Sequence, residues 1–237
     1  MPPPQKIALI TGANRGIGLE IARQLGGLGM IVVVGSRNAE RGKVAGDLLR
    51  SQDIDAQVVE LDVTRQDTID AAVQEIERKF GRLDVLVNNA GVLLDRVSPA
   101  QIELAVLRST YETNVFGAFA VTKAMLPLLK KSDAPRVVNI SSGAGSLAKV
   151  PNLKFRMLAY NSSKAALNSI TALLAQEFKD TKIKINAADP GSVATDINNY
   201  RGTKTVEQGA KPAVHLATLP DDGPTGGFFD ETGTVPW

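Results

Sequence analysis

The chain has 237 residues, 43% of them hydrophobic and 22% charged, which supports one packed core and excludes a disordered or fibrous polymer. Lys and Arg number 27 against 25 Asp and Glu, a formal charge of +2 with the basic residues scattered, so no footprint for nucleic acid or a membrane surface is present. The lack of cysteine and the single histidine, His215, exclude disulfides, thiol nucleophiles and paired-imidazole metal sites.

Residues 1–5 read as a flexible lead that lacks the long apolar stretch and small-residue cleavage site of a secretory signal. The apolar run from Val115 to Leu129 is interrupted by Lys123 and too short to span a bilayer. A cytoplasmic protein is expected. Short β-branched runs then predict strands at Ile7 to Thr11, Ile31 to Gly35, Val58 to Leu61 and Val85 to Asn88, followed by Arg136 to Ser141, Lys184 to Ala188 and Gly227 to Asp230. Segments of helical periodicity begin near Gly16, Ala39, Gln66, Gln101, Val115, Tyr160 and Thr205. Such alternation predicts an α/β fold over 1–237, one doubly wound, Rossmann-like parallel sheet with helices on both faces. Ligands of such sheets bind beyond the carboxyl ends of the strands, so the residues just after each strand are the candidates.

The first strand enters Gly12-Ala13-Asn14-Arg15-Gly16-Ile17-Gly18, with a helical segment behind it. Its glycines permit a tight turn that brings a helix N-terminus, with free N–H groups and a positive dipole end, against a pyrophosphate; Gly12, Asn14, Arg15, Gly16, Ile17 and Gly18 are the candidate contacts. The spacing G-x-x-x-G-x-G matches neither the dinucleotide fingerprint nor the nucleoside-triphosphate loop, and alone it also fits an ordinary strand-to-helix turn. Beyond the second strand, where an NAD binder would place an acid, stand Ser36, Arg37 and Asn38. Arg37 with Arg15 can grip a 2′-phosphate instead, which predicts NADPH/NADP+ in preference to NADH. After the third strand, Asp62 can accept from an adenine amino group or cap the next helix beside Val63 and Thr64. Asn88-Asn89-Ala90-Gly91 ends the fourth strand with small and amide-bearing residues suited to a flat cofactor.

Tyr160 and Lys164 stand at i and i+4, one helix face, where a cation is expected to lower the phenol's pKa; the same spacing also occurs in plain surface contacts. Ser142, closing the fifth strand, can polarise a carbonyl beside them. His215, between Val214 and Leu216, reads as a packed helical residue rather than a base, and no G-x-S-x-G elbow is present.

Taken together, Thr11 to Gly18, Asn88 to Gly91, Asn114, Ser142, Tyr160, Lys164 and Pro190-Gly191 resemble the short-chain dehydrogenase/reductase family across nearly the whole chain. Thr11 to Glu20, Arg37, Glu40-Arg41-Gly42 and the ending Gly226 to Gly233 with Val235-Pro236-Trp237 are similar to its carbonyl-reductase branch. The resemblance implies a sheet of seven parallel strands and an NADPH-dependent oxidoreductase acting on a small-molecule carbonyl. It implies that Tyr160 protonates the carbonyl oxygen, Ser142 positions it, Lys164 holds the nicotinamide ribose and tunes the phenol, and Asn114 supports a proton relay. Pro190, Gly191, Val193 and Thr195 would place the nicotinamide amide and touch the pyrophosphate, and no metal is implied.

The different-class alternative is a noncatalytic NADP-sensing protein of the same fold. Ser142 and Tyr160 are 18 positions apart, longer than in short family members, and Ser192 stands where a larger residue is frequent. Residues 143–159 and 192–204 are thus expected as substrate-site loops, the first carrying Leu147, Val150, Leu153 and Phe155 with Lys149, Lys154 and Arg156. These apolar residues can either line the site or pack over the sheet edge. Small residues including Gly117, Ala118, Ala120, Ser162, Ala165 and Ala166 can pack against the subunit's own sheet or across a homodimer.

Overall fold

In the computed structural model, which describes residues 5–153 and 156–237, the β-branched runs form strands and the amphipathic segments form helices. The order is β1 (Ile7–Thr11), α1 (Gly16–Gly27), β2 (Ile31–Ser36), α2 (Ala39–Arg50), β3 (Ala56–Glu60), α3 (Gln66–Phe80) and β4 (Val85–Asn88). Then come α4 (Leu104–Tyr111), α5 (Ala118–Leu129), β5 (Arg136–Ile140), α6 (Leu158–Glu177), β6 (Lys184–Ala188), α7 (Val206–Ala217), β7 (Phe228–Asp230) and β8 (Gly233–Thr234). The strands build one sheet of order β3-β2-β1-β4-β5-β6-β7-β8.

Seven strands run parallel, as expected, and an eighth is added: β8 turns back antiparallel on β7. Asp230 makes this turn, its Oδ1 accepting from the N–H and hydroxyl of Thr232 at 2.7 and 2.6 Å. Gly233, at φ +131°, lies where other residues are strained. The strand is only two residues long, below what periodicity can register.

β1 and β4 are buried along their whole length, as strands covered on both faces must be. Ile21 of α1, Leu49 of α2 and Leu216 of α7 share one core cluster; Ile69 of α3, Met125 of α5 and Ala175 of α6 share the other. Hence α1, α2 and α7 cover one face and α3, α5 and α6 the opposite one. Between β4 and β5, a buried polar ladder crosses this apolar setting. Asn88 Nδ2 donates to Thr122 Oγ1 and to Asn139 Oδ1, both at 2.8 Å, and Asn139 Nδ2 donates to Thr171 Oγ1 at 2.8 Å.

The helices expected near Gln101 and Val115 run into each other as α4 and α5, joined by a π turn over Glu112–Gly117. Of the lead over 1–5, residues 1–4 lie outside the described residues. Gln5 is tied down, its side chain donating to Gly29 O at 3.2 Å and its carbonyl accepting from Arg82 at 2.9 Å. His215 lies in α7 but is exposed rather than packed, a correction: helical spacing turns it outward between its buried neighbours Ala213 and Leu216. Gly117 leaves no room for a β-carbon against Val63, so at this position the small residue serves the subunit's own packing.

Candidate active site

Parallel strands deliver their carboxyl ends to one edge, and the reversal of strand order between β1 and β4 opens a crevice there. Gly12 and Gly16 turn the chain at φ +63° and +55° into α1. A β-carbon on Gly18 would lie 2.4 Å from Asn89 Nδ2 and 2.8 Å from Gly12 O, which shows how tightly this loop is wound. The first turn of α1 has no acidic residue, and Arg15 at its N-cap gives no side-chain cap, so the N–H groups and positive dipole end remain available to an anion. Around Gly16 the nearest such neighbour is Thr195 Cγ2 at 3.6 Å. These features fit a dinucleotide pyrophosphate, with Asn14 and Ile17 in the same turn.

Thr11 fastens the next loop to this one. Its hydroxyl accepts from the backbone N–H of Asn89 at 3.0 Å and of Ala90 at 2.9 Å, while Asn89 Nδ2 donates to Thr11 O at 2.8 Å. Sequence reading placed Thr11 in the motif but not among the site residues, because only its partners, 78 and 79 positions away, reveal the role. Gly91 follows, with Lys164 Nζ 3.6 Å and Asn114 Oδ1 3.4 Å from where a β-carbon would stand.

Arg37 is exposed just past β2. Arg15 is exposed too and pairs with Asp196 at 2.6 Å, so the glycine loop and the segment after β6 touch. Asp62 Oδ1 accepts from the N–H and hydroxyl of Thr64 at 3.0 and 2.8 Å, holding the turn before α3; Val63 is buried against Gly117. Pro190 and Gly191, the latter at φ +75°, lead into Val193, which is bridged to Lys204, and Thr195, which forms a capping box with Asn198. The 192–204 segment thus folds back on itself, with Ala194 N–H donating to Lys204 O at 2.9 Å.

At the end of β5, Ser142 stands beside Tyr160, close enough to lower its phenol's pKa, and both are partly exposed. Lys164, one helical turn on and 3% exposed, donates from Nζ to Ile140 O at 2.7 Å and lies 5.7 Å from the Tyr160 ring centroid. Asn114, in the π turn, donates from Nδ2 to Val92 O at 2.9 Å and to Ser163 Oγ at 3.0 Å, while its Oδ1 accepts from Val92 N–H at 2.8 Å. Asn114, Ser142, Tyr160 and Lys164 therefore meet at one edge.

The electrostatics correct the expected shift. Burial pushes the Tyr160 phenol up to about 12; the neighbouring Ser142 hydroxyl pulls it down and the Asp189 charge pushes it up further. Burial lowers the Lys164 ammonium to about 8, and that group is engaged by a carbonyl. The phenol is thus held as an acid rather than drawn toward phenolate.

Leu147, Val150 and Leu153 line a cavity of about 280 Å³ with Pro99 and with Leu158 and Ala165 of α6. Lys154 and Phe155 lie outside the described residues. Among the described residues no group of His, Asp and Glu could hold a metal, and no helix is long and apolar enough to cross a membrane.

The family model described as short chain dehydrogenase matches residues 6–205. The chain belongs to the short-chain dehydrogenase/reductase family. As a member it is an oxidoreductase. It is similar to short-chain dehydrogenase/reductase 1 of Saponaria officinalis, 34% identical, with 98% of this chain and 96% of that protein aligned. It is also similar to salutaridine reductase of Papaver bracteatum, 33% identical over 95% and 94% of the two chains. Among solved structures, NADPH-bound carbonyl reductase from chicken fatty liver superposes with a TM-score of 0.89 at 28% identity, covering 98% of this chain and 99% of that one.

Proposed function

We propose that the chain is an NADPH-dependent carbonyl reductase that converts a ketone or aldehyde to an alcohol, reversibly, with Tyr160 as the general acid. The observation that carries this reading is the convergence of Ser142, Tyr160 and Lys164 where the strand-order reversal opens the crevice. Relatives named as reductases and a neighbour named as NADPH-bound support it. Gly12, Asn14, Gly16, Ile17 and Gly18 would hold the pyrophosphate through backbone N–H groups, Arg15 and Arg37 the 2′-phosphate, and Asp62 and Val63 the adenine. Asn89, Ala90 and Gly91 would flank the ring system, Lys164 the ribose, and Pro190, Gly191, Val193 and Thr195 the nicotinamide amide and pyrophosphate. When bound, the reduced nicotinamide supplies the hydride.

The protein's own part is orientation and proton delivery. A phenol raised by burial keeps its proton at neutral pH, so Tyr160 can give it to the oxygen that Ser142 orients. Asn114, fixed by three hydrogen bonds, anchors the end of the proton path. A homodimer is part of the same reading, with the partly buried Ala120, Ser162, Ala165 and Ala166 as its small-residue contacts; light scattering of the purified chain tests it.

The test follows NADPH absorbance across a panel of ketones, aldehydes and quinones. Turnover is expected with the native chain and a loss of at least about a thousandfold in Tyr160→Phe, with NADPH binding retained. Undiminished turnover in that variant would sink the assigned mechanism, and binding without any turnover in the native chain would favour a nucleotide sensor.

A further inference from the structure

One carboxylate at the active-site end raises the Tyr160 phenol by its charge but neither gives the proton nor takes the hydride. Asp189 directly follows β6 and is 6% exposed. It stands beside the Ser142 turn because the backbone N–H of Ser141 donates to Ala188 O at 2.8 Å. Its Oδ1 accepts from Gly191 N–H at 2.9 Å and so holds the turn after Pro190. Its Oδ2 has no hydrogen bond among the described residues and faces Gly143, the neighbour of Ser142: a β-carbon on Gly143 would lie 2.7 Å from it. The same point is 3.5 Å from Lys149 Nζ. Gly143 thus keeps open a gap with an acceptor on one side and a donor on the other. Among the described residues no ion pair closes it, and Lys149 is itself only partly exposed. Oδ2 is not among the fully buried oxygens without a partner, so it can be reached from solvent, and a substrate group that both donates and accepts can replace water in the gap.

We infer that Asp189 and Lys149 select a carbonyl substrate bearing a hydroxyl on the carbon next to the carbonyl, so that the reduced product is a diol. This rests on the carbonyl-reductase reading above. A hydroxyl both donates and accepts, so one group satisfies Oδ2 and Nζ together. An ammonium substituent would suit Asp189 and repel Lys149, a carboxylate would do the reverse, and an alkyl group would leave both unpaired. Because Gly143 directly follows Ser142, the recognised group falls beside the carbonyl that Ser142 orients. In the reduction, hydride from the nicotinamide adds to the carbonyl carbon, Tyr160 gives its proton to the carbonyl oxygen, and the neighbouring C–O bond is untouched.

The experiment measures kcat/KM with NADPH for 2-hydroxyacetophenone, 2-methoxyacetophenone and acetophenone. The first two share the inductive activation of the carbonyl, and only the first has a donor. The native chain is expected to prefer the hydroxyketone to the methoxyketone by about tenfold or more, chiefly through KM. Asp189→Asn keeps an acceptor for Gly191 and turns the recognition atom into a donor; the preference should fall by about tenfold, and Lys149→Met should reduce it less. NADPH binding followed by fluorescence establishes that each variant is folded. A native preference near one, or one that Asp189→Asn leaves unchanged, overturns the inference while turnover of the plain ketones keeps the carbonyl-reductase reading. No turnover with any carbonyl of the wider panel overturns both.

Discussion

Asp95 Oδ2 accepts the backbone N–H of Ala159, the residue before Tyr160, at 2.9 Å, so a loop that follows β4 caps the helix carrying the proposed acid. Asp95 is 2% exposed and its Oδ1 has no partner among the described residues. Removing a cap of this kind costs about 1–2 kcal/mol. Asp95→Ala should lose about that much in urea unfolding and lower kcat by about tenfold through a displaced Tyr160, with NADPH affinity little changed. Asp95→Asn retains an acceptor for Ala159 and should restore kcat; an Asn variant as slow as the Ala variant would refute the positioning role.

The Arg15–Asp196 pair competes with any phosphate for the same guanidinium. Exposed ion pairs contribute little, so the pair can open at small cost. Asp196→Asn should therefore tighten NADPH by about twofold to fivefold and leave NADH unchanged. Arg37→Asp should cut the NADPH-over-NADH preference by about a hundredfold, since it removes one partner of the 2′-phosphate and adds repulsion. Dissociation constants for both nucleotides decide each case.

Lys164 gives the chain a pH signature. Its ammonium is lowered to about 8 in the folded protein against 10.5 for the ordinary group, so between these values the unfolded chain binds more protons and stability rises with pH. The charged form is thus a cost below pH 8 that fades toward pH 10.5. Lys164→Met should be relatively most favourable near pH 7, and its stability difference from the native chain should move toward the native chain by about 2 kcal/mol by pH 10. Urea unfolding of the nucleotide-free chain at the two pH values reads this directly, and a pH-independent difference would contradict it.

Gly18 is the least replaceable residue of the glycine loop. A methyl there meets not only the movable amide of Asn89 but also the backbone carbonyl of Gly12. Gly18→Ala should destabilise by about 1–3 kcal/mol and weaken NADPH binding at least tenfold. Calorimetric titration with NADPH measures the second effect.

Much of this architecture was legible because a sheet covered on both faces writes itself as β-branched runs, and because ligands gather at strand ends whatever the chemistry. Gly12, Asn89, Ser142 and Tyr160 all fall at that edge. Asp95 was not legible: it sits in an aperiodic stretch, and its partner is 64 positions away. The shift of Tyr160 was misread for a related reason. Spacing puts Lys164 on the same helix face, but neither the burial of the phenol nor the engagement of the ammonium by Ile140 O is written in the spacing. Likewise, the apolar residues of the inserted loop do not say which surface they line, and Leu147 and Val150 stay exposed beside their cavity.

The Thr122–Asn88–Asn139–Thr171 ladder works as a proofreading device for chain assembly. Valines and isoleucines of adjacent strands would pack almost as well if β4 slid along β5, but a slide of one residue displaces the loops by about 3.3 Å and turns every side chain to the opposite face. Asn88 would then lose Asn139, its register partner, and several amide groups would be buried without hydrogen bonds. The loops that bear Asn89 and Ser142 leave these two strands, so the cost of that error is what keeps both halves of the site level with each other.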